Sequence, residues 1–181
     1  MTEERRYLTR TEMYRIPQAD LPLLTVTYGI GAPIATAIVA LRGGLYNHLM
    51  WMHKPKRWAS QGGLYSELHL NEYMKAHSIK LWTNINWTAQ DKKKIVKAIN
   101  RELNRNWWCR IYDGLGCICQ VSKYTKWIQI PGLDICSDKA DYLKLVDKRY
   151  NVNHPTPAEV NQWLKDNYDR DYRVYARYRP D

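Results

Sequence analysis

The apolar positions of this chain change period several times, and each change marks an element. Leu23–Gly29 (LLTVTYG) is apolar and β-branched, which predicts a strand. In APIATAIVALRGG, Ile34, Ala37, Ile38 and Leu41 fall on one face, with Pro33 suited to a first helical turn and Gly43–Gly44 to its end. LYNHLMWM reads as a buried strand, and RWASQGG as a second, short one turning at Gly62–Gly63. YSELHLNEYMKAH predicts a helix with Ser66 as N-cap and Leu68, Leu70 and Tyr73 as its apolar positions. Ile79, Leu81, Thr83, Ile85 and Trp87 then alternate with Lys80, Trp82, Asn84 and Asn86, the mark of a half-exposed strand. TAQDKKKIVKAINRELNRN is the clearest helix: Thr88 caps it, Ile95, Ile99 and Leu103 recur at helical spacing, and Lys92–Lys94 face solvent.

Further on, WWCRIYDGLGCICQVSKYTKW predicts a helix with a stripe of Trp108, Ile111, Leu115 and Ile118, followed by a turn at Pro131–Gly132. ICSDKADYLKLVDKRY predicts another, with Ala140, Leu143 and Val146 inward. Thr156, Pro157 and Glu159 form the opening of a capped helix, with the glutamate three residues after the cap. The tail alternates Tyr172, Val174, Ala176 and Tyr178 with Arg173, Tyr175, Arg177 and Arg179, which fits an edge strand or a basic, aromatic arm. Neither a repeat nor a linker divides the chain. The expectation is one domain over 1–181, with its core over about 23–146, an N-terminal arm over 1–20, and a C-terminal helix and basic aromatic tail over 150–181. Helices mixed with short, antiparallel-looking strands make the fold class α+β.

Composition narrows the partners. A chain of 181 residues, 45% hydrophobic and 25% charged, can bury a core and is not disordered. Eight Trp and fourteen Tyr with no Phe place amphipathic rings at a contact surface as well as inside. The net charge of +10 attracts nucleic acid, anionic lipid or an acidic polymer without choosing among them, and it also serves solubility. Cys109, Cys117, Cys119 and Cys136 include no C-x-x-C pair, so free thiols and a reducing location are expected, cytoplasmic or virion-associated. The charged start MTEERRYLTR is not a signal peptide. Leu21–Leu41 is uncharged and just long enough to span a bilayer, but Pro22, Gly29, Gly31 and Pro33 interrupt it, so integral insertion is not expected.

Two residues stand out chemically. Cys136 opens a predicted helix, where backbone N–H groups and the helix dipole stabilise a thiolate and can hold an oxyanion. Asp134 and Asp138 beside it oppose that effect, and a buried structural thiol is the plainer reading of the residue alone. His48, held on a strand, can take a thiol proton as a neutral imidazole, or can be a core histidine satisfied by a carbonyl. GIGAPI lacks the third glycine of a dinucleotide fingerprint, and His69 and His77 lie eight apart with no cysteine near, so neither a cofactor nor a metal is expected.

A helix, a Gly-containing turn, the strand with Asn47–His48, a polar strand and a later Cys136–Ser137 at a helix start resemble the permuted branch of the papain-like NlpC superfamily, over about residues 23–146. That resemblance implies a circularly permuted papain-like fold with a small antiparallel sheet packed by helices. It also implies a third polar residue, on the strand after the histidine, that orients the imidazole. Gln61 matches by position, with Ser60 next and Glu67 as a more distant acidic choice; the glutamate often found there is missing. The implied activity is that of a cysteine amidase, peptidase or acyltransferase acting on a peptide, cell-wall peptide or lipid-linked acyl group through a thioacyl-enzyme. The alternative is a non-catalytic, virion-associated binding protein whose tail, with Tyr172, Tyr175 and Tyr178, contacts nucleic acid or another anionic surface.

Overall fold

A computed structural model describes residues 7–29, 48–61, 64–75, 77–111, 134–153, 155–168 and 170–180. Six antiparallel strands form one open sheet in the order β4-β3-β2-β1-β5-β6: β1 Leu23–Gly29, β2 His48–Lys54, β3 Arg57–Gln61, β4 Tyr65–His69, β5 His77–Asn84 and β6 Tyr172–Tyr178. The helices are α1 Arg10–Tyr14, α2 Leu70–Met74, α3 Ala89–Leu103 and α4 Pro157–Asp166, with 3-10 helices at Gln18–Asp20, Trp107–Arg110 and Cys136–Leu145. The class is α+β. The expected helix from Pro33, the turn at Gly62–Gly63, most of the helix containing Cys117 and Cys119, and the turn at Pro131–Gly132 lie outside the described residues.

Strand alternation sends side chains into two separate cores, one on each face of the sheet. Leu24, Val26, Leu49, Trp51, Ala59, Tyr65 and Trp82 face the first core, closed by α3, the Cys136–Leu145 helix and α4. Leu23, Met50, Met52, Trp58, Ile79 and Leu81 face the second, closed by α2 and the N-terminal segment. Trp51, Trp58 and Trp82 are essentially inaccessible to solvent. Burying a side chain of this class contributes about 1.5–3 kcal/mol or more, so these three rings anchor the sheet between its layers.

The described N-terminal residues and the β6 strand belong to this structure. Leu8, Met13 and Ile16 are buried in the second core, and Thr9 caps α1 in a reciprocal box with Glu12. Leu8 N donates to Arg177 O at 2.7 Å, which pairs the segment with one position of the β6 edge. Within the expected N-terminal arm, Leu8, Met13 and Ile16 thus anchor the described residues to the second core. The tail is an edge strand, and a bulge divides its apolar residues. Leu81 pairs with Ala176 and Trp82 with Val174, leaving Tyr175 as the extra residue. Tyr172 and Val174 consequently pack in the first core, and Ala176 and Tyr178 in the second.

Two local expectations change. Ser66 lies within β4, paired with Ser60, and caps nothing; α2 starts later, with His69 Nδ1 accepting from Asn71 N and Glu72 reaching back to His69 N. Strand pairing with β3 overrides the short-range cap signal there. The segment after Ile135 is a 3-10 helix rather than an α-helix. Its less buried residues Asp138, Asp141 and Lys144 recur every third position, while Cys136, Ser137, Lys139, Ala140, Tyr142 and Leu143 are buried. A three-residue period keeps one edge in solvent only in the tighter helix.

Candidate active site around His48 and Cys136

His48 opens β2 on the face that carries Met50 and Met52. Ser60 pairs with Met50, so it shares that face and stands one step from His48. Its Oγ lies 2.7 Å from His48 Nε2. Tyr73, from α2, brings its hydroxyl to 2.9 Å from the same nitrogen and 2.8 Å from Ser60 Oγ. The phenol and imidazole rings lie parallel, 5.4 Å apart. Hydroxyls donate and accept, so this triangle supports either neutral tautomer of the imidazole.

No carboxylate makes a hydrogen bond to His48 Nε2 among the described residues. Burial, reinforced by the charge of His77, lowers the imidazole from its ordinary 6.5 to about 4. His48 is thus neutral at pH 7. Burial also pushes the Tyr73 phenol up to about 12; the charge of Cys136 adds to the rise, while the Ser60 hydrogen bond opposes it. Tyr73 therefore remains a proton-bearing hydroxyl throughout the physiological range.

Cys136 is the first residue of its 3-10 helix and is 5% exposed. The body of that helix packs on the first core through Ala140, Tyr142 and Leu143. Trp51 Nε1 donates to Lys139 O at 2.9 Å and ties it to β2. Asp138 Oδ2 accepts from Ile135 N at 3.0 Å at its start. The charge of Cys136 is felt at the Tyr73 phenol. The segments leading to His48, 30–47 with Asn47, and toward Cys136, 112–133, lie outside the described residues.

The polar candidates near His48 separate by strand parity. Gln61 points to the opposite face from Ser60, beside Ala59 and Tyr65, and its Nε2 donates to Arg110 O at 2.7 Å. The hydroxyl at the ring belongs to Ser60 instead. Glu67 also takes the other face, where its carboxylate meets buried His53 at 3.0 Å and Lys54 at 2.8 Å. Tyr73 is the residue that sequence reasoning missed, because it reads as an apolar helix position. Its only advance signal is that a tyrosine, unlike leucine, carries a hydroxyl that needs a partner when buried.

The tail's rings are placed differently from the stacking arm. Tyr172 is 1% and Tyr178 7% exposed, and the Tyr175 hydroxyl donates to Asp20 Oδ2. No described helix is long and apolar enough to cross a membrane, and no described group of three or more His, Cys, Asp or Glu side chains could hold a metal ion. No protein-family model matches the chain, and no curated protein matches it significantly.

Proposed function

We propose that this protein is a cysteine-dependent hydrolase or acyltransferase, on a circularly permuted papain-like fold, that cleaves an amide or ester bond through a thioacyl-enzyme. The single observation that carries this reading is the hydrogen-bonded cluster of His48, Ser60 and Tyr73, the last of which also feels the charge of Cys136. In this reading Cys136, at the start of its helix, supplies the thiol that this cluster serves.

In this reading the roles follow from which ring nitrogen carries the proton. With Nε2–H donated to Ser60 or Tyr73, Nδ1 is the bare nitrogen that takes the thiol proton. The sulfur attacks the acyl carbonyl, and backbone N–H groups at the helix start hold the oxyanion. The Nδ1 proton then passes to the leaving amine or alkoxide as the bond to carbon breaks. Water or another acceptor, deprotonated in turn by Nδ1, attacks the thioester, and the Nδ1 proton returns to sulfur as the carbon–sulfur bond breaks. Ser60 and Tyr73 are positioning residues for the imidazole. Their hydroxyls stabilise imidazolium less than a carboxylate does, which agrees with the low pKa of His48. Burial that keeps the imidazole neutral disfavours a resting thiolate–imidazolium pair. Proton transfer therefore accompanies attack instead of preceding it.

The test is acylation by p-nitrophenyl acetate, followed by intact mass and peptide mapping. The expected result is a hydroxylamine-labile acetyl group on Cys136, absent from Cys136→Ala and formed about 100-fold or more slowly by His48→Gln. Equal labelling of the half-buried Cys109 would overturn the reading, as would acylation indifferent to His48.

A further inference from the structure

The acyl-transfer reading leaves the cationic character of the chain unused, and one face concentrates it. Residues 89–111 contain seven Lys or Arg against two carboxylates. Helix α3 buries Ile95, Ala98 and Ile99, so Lys93, Lys94, Lys97 and Arg101 lie exposed on its outer side. Lys94, Lys97 and Arg101 recur every three or four residues and form one stripe. Asp91 meets Lys94 at 3.3 Å, and Glu102 meets Arg101 at 3.9 Å and Arg105 at 2.8 Å, so two carboxylates face the seven cations and Lys97 keeps its charge clear of them.

Between the cations lies apolar ground. Ala98 and Leu145 line a recess of about 240 Å³ rimmed by Lys94, Lys97 and Arg101, and Leu145 is 48% exposed. Just past the end of α3 stand Trp107 and Trp108, 50% and 60% exposed, their rings stacked 3.7 Å apart. Indole rings prefer the headgroup level of a bilayer, and lysines and arginines beside them are drawn to anionic lipid.

We propose that the outer face of α3, with Leu145 and the Trp107–Trp108 pair, adsorbs to an anionic phospholipid surface. Charge complementarity selects an anion, and the apolar floor selects a lipid. The aliphatic floor between the cations suits acyl chains and offers no ring on which a base could stack. Contact is peripheral, since no described helix is long and apolar enough to cross a membrane. The inference is independent of the chemistry at Cys136.

Co-sedimentation of the full chain with vesicles tests it, using phosphatidylcholine alone and an equal mixture of phosphatidylcholine and phosphatidylglycerol. Binding is expected only to the mixture and is expected to weaken as salt is raised. Lys97→Glu/Arg101→Glu should lower the partition coefficient about tenfold or more, and Trp107→Ala/Trp108→Ala by about tenfold. Lys56→Glu/Lys75→Glu makes the same charge change at exposed positions beside the second core, and should alter binding less than about twofold. All of these side chains are exposed, and circular dichroism verifies the fold of each variant. The proposal is overturned if phosphatidylcholine alone binds equally, or if the control pair loses as much. It is equally overturned if the α3 variants keep their vesicle binding and lose only binding to oligo-deoxythymidine.

Discussion

Replacing His48 by glutamine removes a defined part of the acid sensitivity of the fold. The folded imidazole protonates near 4, against 6.5 ordinarily, because burial and the charge of His77 disfavour its cation. In the unfolded chain it protonates near 6.5. Between these two values the unfolded state holds one more proton, so stability rises with pH. The contribution is complete above pH 6.5, is lost as pH falls toward 4, and changes no further below. At about 1.4 kcal/mol per pH unit the window integrates to about 3 kcal/mol, or nearer 2 kcal/mol with solvent access at this half-buried residue.

Urea unfolding, followed by tryptophan fluorescence at several pH values from 4 to 7, measures this directly. At pH 7 the variant loses the Ser60 and Tyr73 hydrogen bonds and is destabilised by about 1–2 kcal/mol. As pH falls to 4, that deficit should close and reverse, since only the native protein carries the penalty of a protonation-resistant imidazole. Other titrating groups are common to both proteins and cancel in the difference. Parallel stability curves would refute the buried, neutral imidazole. A deficit that widens with falling pH would mean that His48 is cationic in a resting ion pair, contrary to the proton order proposed above.

Three further outcomes probe the site and its supports. Ser60→Ala should slow acetylation of Cys136 about tenfold and shift the acid limb of its pH profile, with partial rescue by Ser60→Thr, while Gln61→Ala should change the rate less than about twofold. Trp51→Phe leaves the Lys139 carbonyl without its indole donor and should cost about 1–2 kcal/mol in urea unfolding, with faster amide exchange in the Cys136–Leu145 helix. Thr156→Ala, which breaks the α4 capping box, should lower stability by about 1 kcal/mol, whereas Ser66→Ala should stay within about 0.5 kcal/mol, because Ser66 caps no helix.

The elements most legible in the sequence are those whose signals are local. The Thr88 and Thr156 caps, each followed three residues later by a carboxylate, sit in the structure at the starts of α3 and α4. The β-branched run of β1 and the alternation along β5 likewise need only their own residues to declare a strand. By themselves they established an α+β chain with a cysteine at a helix start and a histidine on a strand. What tertiary structure decided is everything that depends on pairing. Ser66 reads as a cap until β3 recruits it into β4. The tail reads as one apolar face until the bulge at Tyr175 divides that face between two cores. Which of Gln61, Ser60 and Glu67 lies beside the His48 ring depends on register, because a one-residue step along a strand exchanges the faces of the sheet. Tyr73 meets His48 only because α2 folds back over β2, a juxtaposition between residues 25 apart that no window of sequence contains.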